Sequence, residues 1–359
     1  MKFVIYDTDI SQLFMKKTLF GGAALRKYLF AKGFVLNDVN VAIILFKGEK
    51  QFLKNKNIEV YESYFPEKGI RYLRWIYYRL PLIIKSLNKS KGTHFIITSG
   101  GGIINLIVGF YSFLSRSRLV MLIKNDEDVE PIIQIKKIDY VIQSFLFKLS
   151  DKIVCQNNYQ LNKIENTHFK KITVIKNPFV VSKLDITSNR NYVAFLGSFR
   201  PVKNINALFE IAKNCPEIQF RIAGDFPSPK DKSNDMETRY RLTKLQNVEF
   251  VGLIPHDEVT SFLAEAYCLL NTSLFEGFSN TFLEAFSVGT PVVTLGVNPD
   301  FILTKYNLGF VNKIEEMGKT FDMFNNNFDY IEFKKRSIKY LIDNHSYDKI
   351  SKELIEFVK

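Results

Sequence analysis

Short apolar runs recur through the first half of the chain, each followed by a longer stretch in which apolar positions return every three or four residues. Phe3–Tyr6, Val39–Phe46, Ile58–Tyr61, Phe95–Thr98, Leu119–Ile123 and Lys152–Gln156 read as strands, with amphipathic helices between them. Such strands are apolar on both sides rather than alternating, so both faces of their sheet are covered, which is the pattern of a parallel sheet between layers of helices. Ile172-Thr-Val-Ile-Lys-Asn177-Pro178 closes this series, and a polar connector follows from Val181 to Asn191. A second series then runs through Tyr192–Leu196, Gln219–Ala223, Val248–Gly252, Cys268–Asn271 and Pro291–Leu295.

The fold expected is α/β, with two Rossmann-like doubly wound domains facing a cleft. The boundaries predicted are 1–182 for the first domain, 183–340 for the second, and 341–359 for a C-terminal helix that could return to the first. Residues from about Ile331 onward read as helical and basic, and Pro227–Asp235 reads as an exposed loop.

A chain of 359 residues with 46% hydrophobic content can bury a large core, and its length favours two domains over one. The net charge of +12, from 49 Lys and Arg against 37 Asp and Glu, suits a nucleic acid, an anionic membrane or a phosphorylated small molecule. Charge by itself does not choose among them. Cys155, Cys215 and Cys268 are far apart and odd in number, so neither a disulfide framework nor a zinc site is expected. The N-terminal apolar run stops at Asp7, too short for a secretory signal, and Ile103–Leu114 is too short to span a membrane. The location expected is the cytoplasm or the cytoplasmic face of a membrane.

The richest segment runs from Asn271 to Val293. Glu276 and Glu284 flank a turn between an apparent strand and an apparent helix, with Gly277 in the turn. Ser279, Asn280 and Thr281 offer oxygens to cap the helix, and Gly289 with Pro291 would end it. A helix start suits a phosphate, and nearby carboxylates suit sugar hydroxyls. The alternative is a surface helix with a Thr281–Glu284 capping box.

Three more strand ends carry glycine. Gly197-Ser198-Phe199-Arg200-Pro201-Val202-Lys203 puts two cations at a helix entrance, which fits a diphosphate or else a basic surface turn. Ala223-Gly224-Asp225 and Gly252-Leu253-Ile254 follow the next two strands. In order and spacing, this stretch of about residues 190–296 resembles the retaining GT-B glycosyltransferases of family 4, with their Gly-x5-Lys loop, Ala-Gly-acid strand end and E-x7-E element. The first domain resembles them more loosely, through Gly21-Gly22 and Val174-Ile-Lys-Asn177-Pro178.

That resemblance implies a metal-independent hexosyltransferase with no cofactor. Glu276 would contact the donor sugar, Glu284 the ribose, and Lys203 with Arg200 the diphosphate. Gly197, Ser198 and Gly224 would border the donor. Backbone at Gly252, Leu253 and Ile254 would hold the base, and Gly277, Phe278, Ser279, Asn280 and Thr281 would adjoin the sugar. The family's arginine directly after the glycine is Ser198 here. No histidine follows Leu119–Ile123, where relatives carry one. Asn125 and Asp126 occupy that loop and, with Gly21, Gly22 and Gly101, are the acceptor-side candidates. Asp7-Thr-Asp9 and Asp126-Glu-Asp128 read as strand-end acids rather than metal ligands, and no metal site is expected.

Ile70–Gly92 holds six Lys or Arg, no acid and four aromatic residues. It is either an amphipathic helix for an anionic membrane surface or a core-packed helix with a solvated basic face, interrupted by Pro81. The partners expected are a nucleoside-diphosphate sugar, with UDP the default, and a glycan or lipid-linked acceptor, as in surface polysaccharide synthesis. No nucleic acid is expected. The rivals are a sugar-nucleotide epimerase on the same fold and a non-catalytic basic protein that binds nucleotides or polyanions.

Overall fold

The computed structural model describes residues 1–15, 22–100, 102–129, 137–168, 171–181, 190–225 and 235–359. These divide into two compact units, one made of 1–15, 22–178 and 346–359, the other of 179–345. The Pro227–Asp235 loop lies almost wholly outside the described residues.

In the first unit the strands are β1 (Lys2–Tyr6), β2 (Asn40–Leu45), β3 (Glu59–Glu62), β4 (His94–Thr98), β5 (Arg118–Leu122), β6 (Lys152–Cys155) and β7 (Ile172–Val174). They form one parallel sheet in the order β3-β2-β1-β4-β5-β6-β7. Its helices are α1 (Gly22–Leu36), α2 (Leu80–Ser90), α3 (Ile103–Leu114), α4 (Lys137–Leu149) and α5 (Asn158–His168). Alternate strand residues serve opposite cores. Phe3, Ile5, Val41, Ile43, Val120 and Leu122 meet α1, whereas Val4, Tyr6, Ala42, Ile44, Phe95 and Met121 meet Ile83 and Leu87 of α2, Val108 of α3 and Leu146 of α4. The near-continuous hydrophobicity of the strands is thus the record of two helical layers.

The second unit repeats the plan. Its strands are β8 (Tyr192–Leu196), β9 (Phe220–Ala223), β10 (Val248–Gly252), β11 (Ala266–Asn271), β12 (Val292–Thr294) and β13 (Gly309–Val311). The parallel order is β10-β9-β8-β11-β12-β13. The helices are α6 (Ile205–Asn214), α7 (Asp235–Leu242), α8 (Val259–Ala264), α9 (Asn280–Ser287), α10 (Ile302–Lys305), α11 (Met317–Asn326) and α12 (Tyr330–His345). Helices α6 and α11 cover one face, α8, α9, α10 and α12 the other. Strand β13 escapes the hydrophobic pattern because it is three residues long and begins with a glycine.

The expected single terminal helix is two. Ser346 is extended (φ −54°, ψ 119°) between α12 and α13 (Tyr347–Val358). Ile350, Leu354, Ile355 and Val358 of α13 join the core of the first unit beside α1. At Gly33 a β-carbon would fall 2.0 Å from Ser351 Oγ, so glycine is what lets α1 and α13 approach so closely.

Residues 70–92 are likewise not one regular helix. A π turn at Trp75–Arg79 leads into α2, whose second residue is Pro81. Arg74 and Arg79 turn inward and donate to the carbonyl of Pro66 at 3.3 and 2.6 Å, leaving Arg71, Lys85, Lys89 and Lys91 exposed.

Candidate active site

In a doubly wound sheet the loops leaving the two central strands diverge to opposite faces and open a crevice at the strands' carboxyl ends. In the second unit that switch point lies between β8 and β11. The loop after β8 ends in a 3-10 turn at Pro201–Lys203, and the loop after β11 carries Glu276. The two loops are joined there: Leu274 N–H donates to the Val202 carbonyl at 2.8 Å, and Thr272 Oγ1 to the Lys203 carbonyl at 2.7 Å. Lys203 Nζ forms an ion pair with Glu276 Oε1, which also accepts from Ser273 Oγ at 3.0 Å. Both charged groups are largely shielded from solvent, so each holds the other in place with little screening.

The glycines at the neighbouring strand ends stack on one another. Gly197 N–H donates to the Ala223 carbonyl at 3.0 Å, and Gly224 N–H to the Gly252 carbonyl at 2.9 Å. Gly224 has φ +140°, and a β-carbon there would lie 1.9 Å from the Gly197 carbonyl oxygen. No other residue fits. Gly252 has φ +75° and faces open space, as a surface that admits a flat ligand would. Phe199 N–H reaches the Asp225 carbonyl at 3.0 Å, and the Asp225 carboxylate pairs with Arg239 at 3.1 Å.

Helix α9 begins at Asn280. Its N-cap, Ser279, makes no side-chain capping bond; the Ser279 and Thr281 hydroxyls bond each other at 2.8 Å instead. The capping box between Thr281 and Glu284 is therefore absent, because Thr281 already lies inside the helix. Glu284 is buried one turn on, with Oε1 3.4 Å from His256 Nε2. His256 sits in the loop after β10, and sequence reasoning missed it as a site residue; its place just past the Gly252-Leu253-Ile254 strand end was the available signal. The Phe278 ring is buried against His345 at 5.0 Å, so this residue can offer a ligand backbone rather than its ring. Arg200 is exposed, and its Nε donates to Ser198 Oγ at 3.2 Å. Leu253 and Ile254 are half-buried.

The far end of α9 is anchored by Arg190. Its buried guanidinium donates to the carbonyls of Val288 and Gly289 at 3.1 and 3.2 Å, to Thr290 Oγ1 at 2.7 Å, and to the Ala266 carbonyl at the start of β11. Burial lowers its pKa to about 10, and the cation complements the negative end of the helix.

On the first unit Gly21 and Gly101 lie outside the described residues, and Gly22 opens α1. Asn125 caps a 3-10 turn with Asp128. Asp126 accepts from Asn157 Nδ2 at 3.2 Å and Gln160 Nε2 at 2.9 Å. These acids hold the loop after β5, and Asp7 forms a buried ion pair with Lys27. Among the described residues no three His, Cys, Asp or Glu side chains converge on a point where a metal ion could sit.

Residues 190–321 match the family model described as glycosyl transferases group 1. That stretch lies within the second unit. The chain shares the GT-B fold with a crystal structure of HepE from Anabaena in complex with UDP and glucose, at 16% identity and a TM-score of 0.76 over 100% of this chain and 99% of that one. An uncharacterized glycosyltransferase of Methanocaldococcus jannaschii is 27% identical over 59% of this chain and 62% of its own length. The gpi3 subunit of phosphatidylinositol N-acetylglucosaminyltransferase from Schizosaccharomyces pombe is 28% identical over 40% of this chain. The chain thus spans 62% and 32% of these two curated relatives.

Proposed function

We propose that the protein is a retaining glycosyltransferase of family 4 that moves a hexose from a nucleoside-diphosphate sugar, UDP first among the candidates, to a hydroxyl of a glycan or lipid-linked glycan, with surface polysaccharide synthesis as its setting. The observation that carries this reading is the pairing of Lys203 with Glu276 at the switch point of the group 1 domain, beside the uncapped start of α9. HepE in its UDP-and-glucose complex shares the fold, which favours a uridine donor.

In this reading the donor diphosphate lies between Lys203, Arg200 and the N-terminus of α9, and its sugar hydroxyls reach Glu276. Glu284 and His256 face the ribose. The acceptor oxygen attacks C1 as the bond from C1 to the diphosphate oxygen breaks, and the acceptor proton passes to that departing oxygen. Retention follows from attack on the face the diphosphate leaves. The negative charge that develops meets fixed cations and backbone N–H groups, which supply the stabilisation a metal would otherwise give. The acceptor is assigned to the first unit.

Incubation with UDP-hexoses should release UDP, and Glu276→Gln or Lys203→Ala should each slow the release by about 100-fold or more. Unchanged release in both variants would remove the site from the chemistry. Conversion of the donor to an epimer, with no sugar leaving it, would favour an epimerase.

A further inference from the structure

Helices α2, α3 and α4 cover the same face of the first sheet; α3 and α4 turn large apolar side chains outward, and α2 turns Ile84 outward beside Lys85, Asn88 and Lys89. Helix α3 has no charged residue along its twelve positions. Tyr72 and Ile76, in the turns that lead into α2, and Phe113 and Leu114 of α3 are 82%, 72%, 66% and 78% exposed. The layer is continuous: Tyr111 Oη of α3 donates to Asn88 Oδ1 of α2 at 2.7 Å, and Phe110 of α3 lies 5.3 Å from Phe145 of α4, both rings partly exposed.

Charge is partitioned with equal sharpness. From Lys68 to Asn125 the sequence contains ten Lys or Arg and no Asp or Glu, and α4 adds Lys137, Asp139 and Lys148. Arg71, Lys85, Lys89 and Arg116 are exposed around the apolar residues. A second copy of this chain would bring like charge against like charge on such a surface. A surface of anionic lipid headgroups over hydrocarbon complements both features, with cations at the headgroups and aromatic and aliphatic side chains below them. Among the described residues no helix is long and apolar enough to cross a membrane.

We infer that this α2–α3–α4 face of the first unit docks onto an anionic lipid bilayer, lying in its interface. This extends the surface from the 70–92 segment to three helices and does not depend on the donor site. Flotation of the full chain with vesicles of phosphatidylcholine plus about 30% phosphatidylglycerol tests it. Binding should exceed that to pure phosphatidylcholine by about tenfold or more, and weaken as salt rises from about 0.1 M to about 1 M. Lys85→Glu with Lys89→Glu, and separately Ile76→Ser with Phe113→Ser, should each reduce binding about tenfold while leaving thermal melting unchanged.

Equal binding to both vesicle types, or equal binding by the variants, would overturn the inference. So would a dimer in light scattering that Ile76→Ser with Phe113→Ser dissolves, or RNA binding that the lysine variant abolishes while vesicle binding is absent. A UDP-induced rise in melting temperature, measured on the same preparations, reports on the donor site separately. Vesicle binding without that rise would keep the docking face and count against the donor reading.

Discussion

Gly224 shows how one residue sets the geometry of the candidate site. Its positive φ and the 1.9 Å gap to the Gly197 carbonyl leave no room for a methyl group, so Gly224→Ala must push the ends of β8 and β9 apart. We expect a loss of about 2–4 kcal/mol, from backbone strain and a broken strand-end register, read as a lower urea midpoint at unchanged slope. A loss below about 0.5 kcal/mol would mean that the strand ends yield freely. The glycines were legible in the sequence as strand-end glycines, and their mutual contact was not, because it depends on which strands become neighbours. The Lys203–Glu276 pair was half legible: both residues stood out, each for a different ligand group, and their ion pair needed the fold to be seen. His256 had only its place just past a strand end to mark it, and its contact with Glu284 needed the fold to be seen.

Elements were easier to read than their ends. Parallel strands buried on both faces write themselves as apolar runs, and twelve of the strands coincide with such runs. The 70–92 segment was harder: Pro81 marked a break in the sequence, but the inward turn of Arg74 and Arg79 depends on the carbonyl of Pro66, eight residues or more away. The break at Ser346 precedes α13, whose apolar face packs beside α1. The carboxyl end of α9 is held by Arg190, which no motif announced. Arg190→Met would remove the donor that satisfies the carbonyls of Val288 and Gly289 while leaving those groups buried. Charge-assisted bonds of this kind put the loss at about 3–5 kcal/mol in urea unfolding. A loss under about 1 kcal/mol would show that α9 is held by its apolar face alone.

At the scale of the whole molecule, two sheets of the same winding are built from one chain whose last helix belongs to the first unit. The group 1 match covers the second unit, where the paired carboxylate and lysine lie, and the basic apolar face belongs to the first. The central claim is that the carboxyl edge of the second sheet binds a nucleoside diphosphate. The most direct test is the melting temperature of the full chain with saturating UDP, GDP or ADP, for wild type and Glu284→Ala. Ligand at 100 times its dissociation constant adds about 2.7 kcal/mol of stability, enough to raise the melting point by several degrees. One nucleotide, UDP, should give that rise and Glu284→Ala should lose it; no rise with any nucleotide, or an equal rise in the variant, would contradict nucleoside-diphosphate binding at this edge.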